Sequence, residues 1–198
     1  MGLDLEYTNG QTPLGEEEKP GLLIQSVATR GELDEFEHQN IEKAIQWTIN
    51  RRFTSKNMLT EMFIRNLHKR MYGDVWEWAG EFRRTNKNLG VQWTQIPIEI
   101  KKLLDDTEYW IQHNSYSPDE IALRFKHRLV SIHCFPNGNG RHSRLMADII
   151  IEKLFSLPVF TWGAKNVIKD VDLRKEYINS LHAADQGDYT SLLSFARK

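Results

Sequence analysis

A twelve-residue segment, from His133 to Arg144, constrains the fold and chemistry of this chain more than any other stretch. It reads His-Cys-Phe-Pro-Asn-Gly-Asn-Gly-Arg-His-Ser-Arg. Glycine adopts backbone angles that other residues avoid, so the amide groups around Gly138 and Gly140 can turn toward a common anion. An apolar run at helical spacing follows, which predicts that this segment is a loop opening the N-terminus of a helix.

The charged side chains of the segment suit a phosphate ligand. Backbone donors and the helix dipole both favour anions at a helix N-terminus. Arg141 and Arg144 are three residues apart, so they share one face of the first turn and can reach different phosphates. His133 ends the preceding helical pattern, and its ordinary pKa of about 6.5 suits a general base. The segment therefore predicts a site that holds a polyphosphate beside a base, although a histidine bonded to backbone at a helix end is the plainer alternative.

The segment resembles the signature of Fic domains, His-x-Phe-x-(Asp/Glu)-Gly-Asn-Gly-Arg-x-x-Arg. Seven defined positions match, namely His133, Phe135, Gly138, Asn139, Gly140, Arg141 and Arg144. Cys134 stands where the family usually has proline, and Asn137 stands where it usually has the carboxylate that holds Mg²⁺. An amide oxygen can ligate this hard cation but brings no charge. The resemblance covers roughly residues 30–195, and the N-terminal part is also similar to a bacterial subgroup called mobile mystery protein B.

The resemblance implies a protein adenylyltransferase, which moves AMP from ATP to a Ser, Thr or Tyr hydroxyl of a target protein. His133 is then the general base. The implied nucleotide-binding residues are Asn137, Gly138, Asn139, Gly140, Arg141, Arg144 and Tyr177. Among them Arg144 is expected to hold the γ-phosphate and Asn137 to position Mg²⁺. Tyr177 is expected to border the adenine, and the alternative is a buried tyrosine with a satisfied hydroxyl.

Periodicity predicts an all-α fold, which in the terms of the resemblance is a Fic-type helical bundle with a small β-hairpin flap. Residues 1–20 are polar, and residues 1–30 are expected to form a flexible or loosely docked arm, with residues 31–198 a single Fic domain. The first helix is expected to bury a stripe that includes Phe36, Ile41 and Ile45. A helix beginning at Pro118, capped by Ser117, leads to His133.

The segment Glu81–Trp93 carries the strand signal of the chain, because Asn and Gly residues separate short β-capable pieces. In Fic domains the segment at this place is a flap that holds the target by adding a strand to it. An open hairpin edge suits such a task. The implied docking residues are Arg84, Thr85, Asn86, Lys87, Asn88, Leu89, Gly90 and Val91. An ordinary surface hairpin is the alternative.

Composition narrows the class of partner and compartment. The formal net charge of −1 gives no general attraction for nucleic acid or membrane, and this argues against a nuclease-like toxin. The histidines lack zinc spacing, and one cysteine, Cys134, cannot supply the usual thiolates. The same single cysteine fits a reducing compartment. With no signal peptide or long apolar run, a cytoplasmic protein is expected.

Two questions stay open at the level of the sequence. Asn137 leaves a catalytically weakened nucleotide-binding or interaction protein as an alternative, and another phosphate-transfer reaction on the same loop is a further one. Many Fic proteins carry an inhibitory helix, (Ser/Thr)-x-x-x-Glu-(Gly/Asn), whose Glu pairs with the second signature arginine. Only a partial copy is found, at 12–16, so inhibition is expected to come from a separate antitoxin-like partner, as in a toxin–antitoxin system.

Overall fold

The computed structural model of this chain describes residue 16, residues 18–163 and residues 170–198, apart from the side chains of residues 170 and 171. Eight α-helices occur in these ranges, and short 3₁₀ turns lie at Lys19–Gly21 and Trp93–Gln95. The helices are α1 (Arg30–Ile49), α2 (Ser55–Met58), α3 (Glu61–Tyr72), α4 (Ile96–Gln112), α5 (Pro118–Ile132), α6 (Asn139–Phe155), α7 (Asp170–Asp185) and α8 (Thr190–Arg197). The predicted all-α architecture is confirmed. None of the described helices has the length and apolar character needed to cross a membrane.

Helix starts follow the local capping chemistry. The Ser117 hydroxyl accepts a hydrogen bond from the Glu120 amide, and Pro118 occupies the first turn of α5, where its missing N–H costs nothing. Thr29 and Glu32 form a reciprocal capping box at the start of α1. Such side chains satisfy amides that have no partner inside the helix. The predicted start of α5 is therefore confirmed in detail.

The centre of the molecule is the antiparallel pair α5 and α6. Both helices bury the apolar residues that their periodicity predicts, including Phe125, Leu129 and Ile132 on α5 and Met146 and Ile150 on α6. The two helices are joined only by residues 133–138, so the end of one and the start of the other meet at a single short loop. This connection places His133 beside the N-terminus of α6.

The predicted buried face of α1 is wrong in part: Ile41 packs against the core as predicted, but two other members of the stripe do not. Phe36 and Ile45 are each 37% exposed, whereas the core side of the helix carries Leu33, Glu37, Asn40, Ala44 and Thr48. The polar members of that face have long-range partners: the Asn40 side chain donates to the carbonyl of Arg70 and accepts from the amide of Asp74. Hydrogen bonding thus permits polar residues inside, and hydrophobic periodicity does not register them.

The predicted β-hairpin at Glu81–Trp93 is not seen. Residues 84–91 are bends and irregular backbone, and a backbone amide of each arm bonds to the end of α5 or to the loop after it. The Arg83 amide donates to the Cys134 carbonyl at 2.9 Å, and the Val91 amide donates to the Ile132 carbonyl at 3.3 Å. The backbone groups that would have formed a hairpin ladder therefore hold the flap against the protein.

Part of the expected N-terminal arm is docked. Leu22 forms a β-bridge with Trp76, and the Leu23 amide donates to the Val75 carbonyl at 2.9 Å. The Trp78 indole donates to the Glu18 carbonyl at 3.1 Å. The boundary predicted at residue 30 stays a prediction, and most of the arm lies outside the described residues.

Buried histidines should make the fold sensitive to acid. Burial lowers the pKa of His68 well below its usual range and that of His142 to about 3. Both side chains then stay neutral in the folded protein, while the unfolded chain takes up protons below about pH 6.5. We expect the free energy of unfolding to fall by roughly 2–3 kcal/mol per pH unit between pH 6 and pH 4.5, measured by urea denaturation.

A matched pair of variants tests the origin of this slope. His68→Gln should lower stability at neutral pH and flatten its pH dependence, because one proton-linked group is lost. His38→Gln, at a histidine whose side chain is 67% exposed, should leave the slope unchanged. Equal slopes for the two variants would show that His68 is not responsible.

Candidate active site

The candidate base lies at the end of α5 in a strained, buried position. His133 caps this helix in the left-handed conformation, with φ 54° and ψ 56°, and is 7% exposed. Burial, together with the nearby charges of Arg83 and Lys87, lowers the pKa of His133 to about 4. The imidazole is therefore neutral around pH 7 and can accept a proton.

The turn from α5 to α6 is closed by Asn139. Its side chain accepts from the Phe135 amide at 2.9 Å and donates to the Phe135 carbonyl at 2.8 Å. Gly138 precedes α6 with φ 77°, and a Cβ there would lie 2.5 Å from the ring of Tyr72. Only glycine fits both the angle and the space. The Asn139 side chain is thus committed to the loop, and its backbone N–H belongs to the first turn of α6.

Aromatic and imidazole rings form the floor under this loop. Phe135 is fully buried and stacks on His68 with ring centroids 3.7 Å apart, as expected for a side chain that anchors the loop. The Gly80 amide donates to Nδ1 of His68 at 3.0 Å, so the proton lies on Nε2, which donates to the Asn137 carbonyl at 3.0 Å. One neutral histidine therefore connects the start of the flap to the signature loop.

Arg83 fixes the flap above the base. This arginine is 2% exposed, and its guanidinium donates to the carbonyls of His133 at 2.6 Å, of Thr85 at 2.7 Å and of Val91. At Gly90, where φ is 95°, a Cβ would lie 2.6 Å from the Cβ of His133. The predicted docking flap therefore packs directly on the predicted base.

The remaining flap residues differ in their environment. The side chain of Lys87 is 8% exposed and forms an ion pair with Glu18, whose side chain is equally buried. Leu89 is 51% exposed, and Arg84, Asn86 and Asn88 are exposed as well. The exposed members are the ones able to meet another protein, whereas Lys87 is engaged inside the molecule.

The two signature arginines have different partners. Arg141 donates to Glu37 at 2.6 Å, and the other oxygen of this buried carboxylate accepts from the Trp76 indole at 2.8 Å. Among the described residues no carboxylate lies within 4 Å of Arg144. A Cβ at Gly140 would meet no described atom within 4 Å outside the helix, so the first turn of α6 faces open space there. An anion approaching this turn would find Arg144 without a salt-bridge partner among the described residues.

Tyr177 is brought to the second turn of α6 by α7. Its ring lies 5.8 Å from the Arg144 guanidinium and 4.4 Å from Lys126 Nζ. Burial raises the pKa of Tyr177 to about 12, and the described residues offer its hydroxyl no hydrogen-bond partner. The alternative, a buried tyrosine whose hydroxyl is hydrogen-bonded within the protein, is therefore wrong as far as the described residues go. A position of Tyr177 beside a ligand stays a prediction.

The candidate metal ligand is weak by itself. The Asn137 side-chain oxygen accepts from the Gly138 amide at 2.6 Å. Within the described ranges no group of three His, Cys, Asp or Glu side chains could hold a metal ion. Mg²⁺ commonly binds one or two protein oxygens together with substrate phosphates. The donor set therefore fits Mg²⁺ that arrives with a nucleotide, with Asn137 as one neutral ligand.

The structure brings together the sequence-predicted residues at 133, at 137–141, at 144 and at 177, and packs the predicted flap on the first of them. Sequence reasoning missed Glu37, His68, Arg83 and Lys126, which support these residues from other elements. A buried Glu on the core face of α1 could have been noticed, because it lies four residues after Leu33 and seven before Ala44. No local pattern distinguishes Arg83 from its exposed neighbour Arg84.

Comparison with known proteins gives a consistent family. Residues 58–151 match the model of the Fic/DOC family. A protein adenylyltransferase Fic of Drosophila grimshawi is 32% identical over 151 residues, which are 74% of this chain and 30% of that protein. Protein adenylyltransferase fic-1 of Caenorhabditis elegans is 31% identical over 140 residues, or 68% and 26% of the two chains. The chain thus spans less than a third of the length of these curated relatives.

Solved structures show the same fold. A fragment of Fic-1 from C. elegans superposes with a TM-score of 0.68 at 24% identity, over 90% of this chain and 51% of that one. The Bartonella tribocorum BepC protein, solved with bound AMPPNP, also gives a TM-score of 0.68, at 14% identity over 92% and 97% of the two chains. At these identities the likeness concerns the fold.

Two adjacent arginines test the role of the buried guanidinium. Arg83→Met should destabilise the protein by about 3 kcal/mol or more, because several buried carbonyls lose a charged donor. Arg84→Met, at an exposed neighbour, should change stability by less than about 0.5 kcal/mol. Urea denaturation measures both, and amide hydrogen exchange over residues 84–91 should accelerate only in Arg83→Met. Similar behaviour of the two variants would exclude Arg83 as the residue that fixes the flap.

Proposed function

Because this chain belongs to the Fic/DOC family, we propose that it is a protein adenylyltransferase that moves AMP from ATP to a hydroxyl side chain of a target protein. The observation that carries the proposal is the arrangement at the start of α6. There a neutral His133, and an Arg144 with no salt bridge among the described residues, flank a helix N-terminus that is open at Gly140. The names of the curated relatives support the same activity.

In the proposed reaction the hydroxyl oxygen of the target attacks the α-phosphorus of ATP. A bond forms between that oxygen and phosphorus, the bond from the α-phosphorus to the bridging oxygen breaks, and pyrophosphate leaves. His133 takes the hydroxyl proton on its neutral imidazole. The amides at Gly138–Gly140 and the Arg141 guanidinium stabilise charge on the α- and β-phosphates, and Arg144 holds the γ-phosphate.

Glu37 has a positioning role in this proposal. Its carboxylate is held by the Trp76 indole and holds Arg141, so it fixes the direction of the guanidinium without touching the nucleotide. Within the described part of the chain one nitrogen of Arg141 is bonded, which leaves other N–H groups for phosphate oxygens. Mg²⁺ bound to the nucleotide and to Asn137 would neutralise phosphate charge.

The target docks on the flap in this proposal. Arg83 already donates hydrogen bonds to the flap carbonyls that face the protein. The outward side of residues 84–91 is therefore the part that can bind a partner. An extended peptide laid along it would bring its hydroxyl over His133, because Gly90 packs on that residue. Because Gly90 has no side chain, the backbone of the flap lies close to His133, and so would a peptide bound along the flap.

We assign the protein to the cytoplasm in the same proposal, since its single cysteine, Cys134, is a buried thiol. An antitoxin-like inhibitor is part of it as well. Of the partial inhibitory motif at 12–16, only Glu16 is described; it is exposed and pairs with Lys19. Because no described carboxylate pairs with Arg144, inhibition through this arginine would require a group from elsewhere. The net charge of −1 gives no support for nucleic acid as a partner.

A weakened nucleotide-binding protein is the second candidate. The Asn137 oxygen is neutral and already accepts from the Gly138 amide, which favours poor binding of the metal. Such a protein would bind ATP without transferring AMP.

The activity is tested with α-labelled ATP and Mg²⁺ on a bacterial lysate. We expect label on a distinct protein band, and its loss by about 100-fold or more in His133→Ala, because the general base is removed. His113→Ala, at an exposed histidine on the far end of α4, is the control and should label normally. Label that persists in His133→Ala would contradict the assigned base.

Asn137→Asp separates the two candidate functions. A carboxylate at this position should lower the Mg²⁺ concentration for half-maximal transfer by about tenfold, which corresponds to ~1.4 kcal/mol. Asn114→Asp adds the same charge at an exposed turn and should have no effect. If neither the wild type nor Asn137→Asp transfers label while both bind ATP, the protein is a nucleotide-binding member without transferase activity.

A further inference from the structure

Lys126 is an anomaly at the edge of the proposed nucleotide site. It lies on α5, seven residues before His133 and therefore on nearly the same face of the helix. The residue is 0% exposed, and its ammonium nitrogen has no hydrogen-bond partner among the described residues. A buried charged group without a partner costs several kcal/mol. Folding alone gives no reason to place a lysine here.

The surroundings of Lys126 are cationic and incompletely satisfied. Its Nζ lies 4.4 Å from the centre of the Tyr177 ring, and burial together with the charge of Arg144 lowers its pKa well below the usual range. Arg144 also acts on Tyr177, at 5.8 Å from the ring centre. The described residues place no carboxylate within 4 Å of either cation. Three polar groups, from α5, α6 and α7, thus converge without an acceptor.

Lysine offers three donors and no acceptor, so only an electron-rich group can satisfy it. A side-chain amide or a water would suffice for one donor, but two adjacent cations favour an anion of more than one charge. The terminal phosphate of a nucleoside triphosphate has this chemistry, and Arg144 is the residue proposed to hold it. Lys126 is about two turns of α5 away from that loop, within reach of the far end of an extended triphosphate.

We propose that Lys126 and Arg144 together form the binding subsite for the terminal phosphate, and that Lys126 obtains its hydrogen-bond acceptor only when a triphosphate is bound. This inference rests on the proposed function, which it deepens. Because Nζ is fully covered, the Tyr177 ring or the Arg144 guanidinium must shift when the nucleotide enters. Tyr177 would then lie beside the terminal phosphate instead of beside the adenine, and Lys126 would distinguish ATP from ADP and AMP.

The test compares Lys126→Met with the wild type in calorimetric titrations with AMP, ADP and a non-hydrolysable ATP analogue. Methionine keeps the unbranched stem and removes the charge. We expect the affinity for the triphosphate analogue to fall by roughly tenfold to a hundredfold, the loss of one charge-assisted hydrogen bond, with AMP affinity unchanged. Lys153→Met, at a lysine on α6 that pairs with Glu152, is the control and should bind all three like the wild type.

Proton uptake gives a readout that a merely structural lysine would not change. The groups that face Lys126 are Arg144 on α6 and Tyr177 on α7, together with His127, the next residue on α5. An anion beside Lys126 raises its pKa, so triphosphate binding should take up protons, seen as heats that depend on the ionisation enthalpy of the buffer. Lys126→Met should show less uptake. Thermal unfolding of Lys126→Met should show no loss of stability relative to the wild type. If Lys126→Met does not fold, Lys126→Gln takes its place in the titrations.

The outcomes separate this inference from the proposed function. Equal triphosphate affinity in Lys126→Met and wild type, or an equal loss for all three nucleotides, overturns the subsite even if AMP transfer is observed. A selective loss for the triphosphate establishes the subsite even if the wild type labels no protein, in which case only the transferase activity fails.

Discussion

The loop between α5 and α6 is buried, and the structure depends on how its backbone is satisfied. Connecting loops normally lie at the surface, since buried amides and carbonyls need partners. Here the partners are one local side chain and two distant ones: Asn139 closes the turn, His68 binds the Asn137 carbonyl and Arg83 binds the His133 carbonyl. His68 also binds the Gly80 amide at the start of the flap, and Arg83 also binds carbonyls of the flap. The same hydrogen bonds that permit burial therefore position the candidate base, the start of α6 and the flap relative to one another.

The sequence predicts the helices and the central loop well because these are local properties. Capping at Ser117, the period of α5 and α6 and the left-handed glycine at 138 all depend on residues close in the chain. The buried face of α1 and the state of the flap depend on partners that are distant in the chain. Glu37 is inside because Trp76 and Arg141 bind it, and a hairpin does not form because Arg83 and the loop after α5 take its backbone groups. Neither cause is visible in a local pattern.

The basic residues of the site differ in whether an acidic side chain pairs with them, and the difference follows the path from His133 to Lys126. Arg141, at the first turn of α6, has a buried carboxylate partner. Arg144, one turn further along α6, and Lys126 on α5 have no such partner among the described residues. A paired guanidinium is oriented but partly neutralised, so it suits an anion whose position must be fixed. Burial and the charge of Arg144 disfavour protonation of Lys126, and a multiply charged anion would favour it. An extended polyphosphate with its reacting end near His133 and its most highly charged end near Lys126 matches this gradient.

A base with a pKa of about 4 is weak, and the proposed reaction explains how it can suffice. Phosphoryl-type transfer depends chiefly on positioning and on charge stabilisation, so the base is needed late, when the attacking oxygen has become acidic. Burial and the charges of Arg83 and Lys87 disfavour the protonated imidazole in the nucleotide-free protein. Phosphate groups placed beside His133 act in the opposite direction and raise its pKa. The strength of the base would then be coupled to the presence of the nucleotide, and an imidazole that stays neutral without substrate is always in the form that can accept a proton.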